Sequence, residues 1–323
     1  EKQTYRNIEV IIMDDCSTDG SLDIAGEMAA SDMRFKVFSM PRNSGAGDAR
    51  QAAIEKSSGE FIGFVDADDY VDMDFVAVLY GLITKTGADV ACCQHYFYDE
   101  EHQRLTTPWA YDDKVVCLSP DEAMRKMKGY DQMDEGLWNK LCRREIVVRH
   151  RMETFPFEDA FVLYKSVPEA ASVALCCVPL YYYYQRDGSL MHTGYTPYKA
   201  FARYKLEILK DKAIRGTDRL ETGVALYYIR KGLKLLREFG LLERSADVSE
   251  ACRGVLECLH GFDYVSDTEL GVKGLIARHF VYKRLWKYLE LNRKFVATFR
   301  KRKMEKVCHK YSLQTMEVFQ KGL

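Results

Sequence analysis

Three aspartates in four positions, Asp66, Asp68 and Asp69, stand directly after the apolar run Phe61-Ile62-Gly63-Phe64-Val65. Carboxylates grouped this closely at a strand end can hold a hard divalent cation, and that cation can act as a Lewis acid on a departing diphosphate. Aspartates after a strand also serve as turn and N-cap residues, here for a helix beginning after Val71, so the cluster alone leaves both uses open. Asp14-Asp15 ends a second apolar run, Ile8-Glu9-Val10-Ile11-Ile12-Met13, and leads into Cys16-Ser17-Thr18-Asp19-Gly20-Ser21. Ser17, Thr18 and Asp19 suit the cap of a following helix. Capping accounts less well for the doubled aspartate, because a buried carboxylate at a strand end needs a donor such as the imide N–H of uracil.

The elements that must position these groups follow from hydrophobic period. The first half alternates β-branched runs with helical patterns, the mark of βαβ units feeding a mostly parallel sheet. Strands are expected over 8–13, 35–38 and 60–65, with helices over 22–30 and 46–56 between them. Both aspartate clusters then fall at the carboxyl ends of strands, where such sheets bind nucleotides. Further on, the pattern predicts helices over 74–85, 120–128 and 137–150, and strands over 89–98, 114–118 and 173–185. From about Tyr198 it is helical to the end. The expected organisation is an α/β domain over 1–195 followed by a mostly α-helical region over 196–323.

With 323 residues, 47% of them hydrophobic, the chain can bury a sizeable core, which excludes a disordered protein. Its ten cysteines contain no C-x-x-C spacing and its seven histidines no H-E-x-x-H, so neither a disulfide framework nor a zinc site is expected. The longest strongly apolar stretch, from Val173 to Tyr184, falls short of the roughly 20 residues a membrane-spanning helix needs. Glu1-Lys2-Gln3-Thr4-Tyr5-Arg6 lacks the apolar core of a secretory signal, which together with reduced cysteines gives a cytoplasmic expectation. The net charge of -1 hides an asymmetry, because residues 278–310 carry twelve Lys/Arg against Glu290 and Glu305. Ile276, Phe280, Leu285, Trp286 and Leu289 recur there at helical spacing. That combination fits a basic amphipathic helix on the anionic inner face of the plasma membrane, and equally a helix packed on its own domain. No nucleic-acid-binding motif accompanies the charge, so no nucleic acid is expected as partner.

The segment Tyr5 to Ser21 resembles the signature of the family 2 glycosyltransferases, with Cys16 where that signature usually has glycine. Asn43-Ser44-Gly45-Ala46-Gly47-Asp48-Ala49-Arg50-Gln51 is similar to the family's N-x-G-x-x-x-A-R-N, and Ser58 to Asp69 to its G-E-Y-I-x-F-L-D-S-D-D. Three matches in order are far more specific than any one of them. The resemblance implies the GT-A fold, a Rossmann-like mixed sheet flanked by helices, and an inverting, DxD-containing, metal-dependent transferase. It implies a nucleotide-sugar donor, a UDP-sugar foremost, with Asp15 and its neighbour Asp14 at the uracil and Arg50 at the nucleotide or its diphosphate. Mn²⁺ or Mg²⁺ would be carried by Asp68, with Asp66 and Asp69 beside it.

Phe155-Pro156-Phe157-Glu158-Asp159 resembles the family's late E-D element. That likeness makes Asp159 the general base for an acceptor hydroxyl and Glu158 its neighbour or substitute, although acids at a helix start also favour its dipole. Tyr181 to Ser189 is similar to the family's Y-x-Y-R-x-R-x-x-S, so Arg186 would contact diphosphate oxygens in bidentate fashion. The alternating tyrosines read equally well as an ordinary two-sided strand. Trp138-Asn139-Lys140-Leu141 fits another recurrent element near the acceptor, with Trp138 either a sugar platform or core. Members of the family normally carry a strand and helix with V-S-V-I-I-P-x-Y-N ahead of the Gln3-Thr4-Tyr5 element; its absence here leads us to expect unpaired sheet edges. The expected acceptor is a hydroxyl of a surface glycan, in a lipid-linked form. The alternative is a catalytically degenerate scaffold that docks on a membrane or partner.

Overall fold

The computed structural model describes residues 1–99, 104–110, 112–185, 196–239 and 245–265. Arg186 and the basic stretch 278–310 lie outside the described residues. The chain divides into two compact units, Glu1–Gly194 and Tyr195–Leu323.

The first unit opens with β1 (Val10–Asp14), α1 (Ser21–Ser31), β2 (Phe35–Ser39) and α2 (Ala46–Lys56). β1 and β2 pair in parallel, Val10 opposite Phe35 and Asp14 opposite Ser39, and form a sheet of their own. Among the described residues β1 has no other strand partner, so one of its edges keeps unpaired N–H and C=O groups. Glu9, just ahead of β1, ties this small sheet to the next segment. Its Oε1 accepts from the Ser58 hydroxyl (2.8 Å) and the Gly59 amide (3.0 Å), and Oε2 from Lys36 Nζ (2.7 Å). The Lys36 ion pair is the main reason that the Glu9 carboxyl is held at about 2.

The unit continues with β3 (Phe61–Gly63), β4 (Tyr70–Val71), α3 (Phe75–Thr86), β5 (Val90–Asp99), β6 (Arg104–Thr106) and β7 (Val115–Leu118). After these come α4 (Pro120–Gly129), β8 (Lys140–Arg143), α5 (Arg144–Val148), α6 (Glu158–Ser166) and β9 (Val173–Gln185). Seven strands make the main sheet in the order β3-β8-β5-β9-β4, with β6 added to β5 and β7 to β9. Only β5 and β9 run parallel in it, and the other pairs are antiparallel. The sheet is therefore mixed, as the family resemblance implied, and not mostly parallel as the βαβ rhythm alone suggested. The rhythm holds through α2, after which strands such as β8 enter in the reverse direction.

A helix over 137–150 is also corrected. Leu137 to His150 has apolar residues at helical spacing, but Cys142 finds ladder partners on both sides, Ile62 of β3 and Val90 of β5. Pairing on both sides engages the backbone of that short strand while burying both its faces, and this outweighs local propensity. Where caps are strong the expected helices hold. Ser119 and Glu122 form a reciprocal capping box with Pro120 at the first helical position of α4, and Gly87 ends α3 at a left-handed φ of 71°. The main core packs α3 against β5 and β9 through Leu79, Ile83, Ala91, Cys93 and Tyr181.

In the second unit α7 (Pro197–Arg215), α8 (Thr222–Phe239) and α9 (Ala246–His260) close around Phe201, Tyr204, Tyr228, Phe239, Val255 and Leu259. Thr196 caps α7 ahead of Pro197, and Gly216 at φ 58° stops it. Among the described residues no helix is long and apolar enough to cross a membrane. At α9 the approach is close enough that a Cβ on Gly254 would lie 2.2 Å from the buried Phe201 ring. Replacing a mid-helix glycine by alanine ordinarily gains up to about 1 kcal/mol, whereas forcing a packed ring aside costs about 1–3 kcal/mol. Gly254→Ala is accordingly expected to lower stability by about 1–2 kcal/mol, read as a reduced urea midpoint at unchanged slope; an equal or higher midpoint would contradict this packing.

Candidate active site

The loop after β1 is built on its two aspartates. Asp14 is buried and accepts from the Ser17 amide (3.2 and 3.3 Å to its two oxygens) and from the Ser39 hydroxyl (3.0 Å). Hydrogen bonds led by Ser17 hold its carboxyl below the usual range. Asp14 thus ties the β1 loop to the end of β2, a use the capping residues did not reveal. Asp15 reaches the other way, with Oδ1 accepting the Ser44 amide (2.8 Å) and Oδ2 the Gly45 amide (2.7 Å) at the start of α2. Each carboxylate oxygen can accept a further donor, so these bonds leave room for an imide N–H. Between them and Ser17, Cys16 sits at a φ of 62°, the left-handed region that favours glycine. That explains physically why the resembling signature has glycine at this place.

α2 carries Arg50 toward the carboxylate loop. The approach depends on Gly47, because a Cβ there would lie 2.0 Å from the backbone oxygen of Glu153 and 3.6 Å from Glu158 Cβ. Arg50 then donates through one guanidinium nitrogen to Asp66 and through the other to Glu158, joining groups 16 and 108 residues away. Burial disfavours this cation, yet Asp66, Glu158 and Asp159 together hold it firmly charged.

The four residues Asp66-Ala67-Asp68-Asp69 form a tight turn between β3 and β4, closed by Asp69 N–H to the Asp66 carbonyl (3.0 Å). Asp69 does not point with Asp66. Its Oδ2 accepts from the Tyr181 hydroxyl (2.6 Å) and its Oδ1 from the Tyr184 amide (2.8 Å), both on β9. Burial, and the charges of Asp66 and Asp68 beside it, push the Asp69 carboxyl up to about 7. Glu158 and Asp159 open α6, with the preceding Phe157 held at a φ of 71° and Asp159 Oδ1 accepting from the Ala160 amide (2.8 Å). Burial first and Glu158 second raise the Asp159 carboxyl to about 7, against the opposing pull of Arg50. The site thus gathers carboxylates from a loop and a helix start around one guanidinium, with negative charge in excess.

Trp138 is half-buried, with ring centres 4.6 Å from Tyr181 and 4.8 Å from His95, the latter edge-on. The stretch before it is organised by a buried ammonium. Lys140 Nζ donates to the Gly136 carbonyl (2.6 Å), Asn139 Oδ1 (2.8 Å) and the Asp134 carbonyl (3.1 Å), with Asp134 Oδ1 at 3.4 Å. Burial opposes ionised Asp134, but Lys140 and His95 keep its carboxyl below the usual range. Reading the sequence missed Asp134 and His95, and it gave no role of their own to Gly47 and Tyr181, which stand inside the family-like motifs. The one visible signal was a lysine set between Trp138 and the apolar Leu141, where a charge needs a buried partner.

The Arg50 bridge yields a direct test. In Gly47→Ala the added methyl must displace the Glu153 backbone or α2 itself, which parts Arg50 from Glu158. The expected result is a loss of about 2–3 kcal/mol in urea unfolding, larger than for Arg50→Lys; a stability equal to the parent would show that the close approach is not required.

Residues 1–150 match the family model described as glycosyl transferase family 2. Over 261 residues the chain is 27% identical to the glycosyltransferase GlyG of Streptococcus pneumoniae, a match covering 78% of this chain and 86% of that protein. Over 190 residues it is 34% identical to the putative glycosyltransferase EpsH of Bacillus subtilis, covering 56% of this chain and 53% of that protein, about half its length. Among solved structures, TarS residues 1–349 of S. aureus in complex with UDP-GlcNAc superposes with a TM-score of 0.57 at 20% identity, covering 90% of this chain and 84% of that one. That likeness, with the mixed sheet flanked by helices seen in this chain, makes the fold GT-A. Residues 1–150, within the first unit, match glycosyl transferase family 2, and with its similarity to GlyG over most of both chains this protein is a glycosyltransferase.

Proposed function

We propose that this enzyme moves a sugar from a nucleotide diphosphate donor, a UDP-sugar, to a hydroxyl of a surface-glycan acceptor, with inversion at the anomeric carbon and with Mn²⁺ or Mg²⁺ bound. The observation that carries the reading is Arg50 spanning Asp66 and Glu158, which places the carboxylate loop and the acid pair within one side chain of each other. The complex of TarS with UDP-GlcNAc supports a UDP-sugar on this fold.

The residues fit a divalent cation shared with substrate and not a closed protein cage. Among the described residues no three Asp, Glu, His or Cys side chains converge as a metal cage, and Asp69 is turned to β9. Mg²⁺ and Mn²⁺ at a diphosphate need only one or two carboxylates, with phosphate oxygens and water completing the shell. Asp68, with Asp66 beside it, would supply them, and the repulsion that adds to burial in raising Asp69 is what a cation relieves. When bound, the ion neutralises charge on the leaving diphosphate. Asp15 would take the uracil imide, and Arg186 the diphosphate.

Asp159 then receives the proton of the acceptor hydroxyl as that oxygen attacks the anomeric carbon. The bond from that carbon to the diphosphate oxygen breaks, and its electron pair leaves with the nucleotide. A carboxyl pushed up to about 7 is well matched to a base that must start ionised and finish protonated. The basic run over 278–310 would hold the enzyme at the anionic inner membrane face, where a lipid-linked acceptor presents its hydroxyl.

UDP binding measured by calorimetry should tighten on addition of Mn²⁺, and this gain should vanish in Asp68→Ala; an affinity indifferent both to metal and to the substitution would sink the reading. Asp159→Asn should lower kcat by about 10²–10⁴-fold with little change in donor KM. Because the raised carboxyl is protonated below about 7, kcat/KM of the parent should fall as pH drops through that value. A flat profile between about pH 5 and 8 would remove Asp159 from the role of base.

A further inference from the structure

We infer that Tyr181 is a positioning residue for the carboxylate turn: its hydroxyl, acting through Asp69 and the Asp66 backbone, sets where Asp66 and Asp68 stand. The inference rests on the proposed use of that turn to carry a cation at the donor diphosphate.

The Tyr181 ring is fully buried, with Trp138 at 4.6 Å and Phe75 at 6.2 Å between ring centres. A buried phenol needs partners for its hydroxyl. This one has two, both in the turn. It donates to Asp69 Oδ2 (2.6 Å) and accepts the Asp66 amide (3.1 Å), so one oxygen touches the first and last residues of the turn. The strand around it repeats the hold. β4 follows the turn immediately and pairs with β9, Tyr70 opposite Tyr182 and Val71 opposite Tyr181. Where that ladder stops, the Asp69 carboxylate takes the Tyr184 amide (2.8 Å), standing in for a backbone carbonyl. Both oxygens of Asp69 are therefore committed to β9, and the third aspartate of the cluster works as a tether.

The tyrosines of β9 are not equivalent in this respect. Tyr182 instead stacks on Tyr96, with ring centres 5.2 Å apart. An irregularity in the β5–β9 register at Gln94 brings Tyr181 opposite His95, which packs edge-on against Trp138. Tyr181 thus stands between the aromatic cluster and the turn. Groups that orient carboxylate ligands without touching the ion are commonly worth about 10–100-fold in metal affinity or activity, and that is the scale expected here.

Tyr181→Phe removes the hydroxyl and leaves the ring in its packing, and Tyr182→Phe is the control. Hydrogen exchange of amides 64–70 should be about tenfold faster in Tyr181→Phe, with amides of β5 unchanged as the internal check on folding. The Mn²⁺ concentration for half-maximal enhancement of UDP binding should rise about tenfold or more, while affinity for UDP alone stays within about twofold. Tyr182→Phe should change neither. Exchange rates and a Mn²⁺ response equal to the parent's would overturn the inference, and so would faster exchange with an unchanged Mn²⁺ response. If the parent itself shows no Mn²⁺-enhanced UDP binding, the proposed function falls, and the exchange rates alone then decide whether Tyr181 anchors the turn.

Discussion

Arg50 holds the site together. Its guanidinium spans a loop carboxylate, Asp66, and a helix-start carboxylate, Glu158, that the chain separates by 92 residues. Neither acid would be placed as it is without that cation. Both are part-buried, and a buried anion without a partner costs several kcal/mol. The bridge in turn requires α2 to run against the segment before α6 at a distance only a glycine allows, which makes Gly47 as much a part of the site as the arginine it delivers. The arrangement still leaves more negative charge than one guanidinium balances, and burial together with that excess pushes the carboxyls of Asp69 and Asp159 up to about 7. Such groups weaken the fold as pH rises from about 4 to 7, because the native state binds protons there that the unfolded chain has released. An active site can bear that cost, since a cationic ligand or a proton in transit relieves it.

The opposite wall of the turn is a strand. β9 pairs with β5, β7 and β4, and it presents Tyr181 and the Tyr184 amide to Asp69. Two kinds of support therefore meet in four residues, an ion pair from a helix on one side and hydrogen bonds from a sheet on the other. The first is electrostatic and changes with any charge that binds, whereas the second is short and directional. This division of labour separates Asp66, which answers to charge, from Asp69, which answers to the sheet. The Lys140 network is comparable in kind: a buried cation satisfied by three oxygens at 2.6–3.1 Å holds the stretch that presents Trp138 beside Tyr181.

Several features were legible from residue order alone. The βαβ rhythm through α2, the strand ends bearing Asp14-Asp15 and Asp66 to Asp69, and the helices over 74–85 and 120–128 all depend on local period and backbone preference. The same holds for the family, because its motifs are short stretches in which neighbouring residues act together. The failures were non-local. Lys140 to Arg143 carried a helical pattern and became a strand because β3 and β5 stood ready on either side of it. The mostly parallel sheet became mixed for the same reason, since strand direction is set by where the chain returns.

Within the site the division runs between residue identity and residue pairing. The motifs around Asp15, Arg50, Asp66, Asp68 and Asp159 were enough to place this chain among glycosyltransferases through their ordered resemblance to the family, whereas each cluster alone served a turn or cap equally well. That Arg50 grips Asp66 and Glu158, that Asp14 serves a loop, and that Asp69 belongs to Tyr181 could not be read along the chain. Each of these contacts joins residues from 16 to 112 positions apart, except the Asp14 loop bonds, and a hydrogen bond at such separation depends on the packing of the elements that carry its two ends.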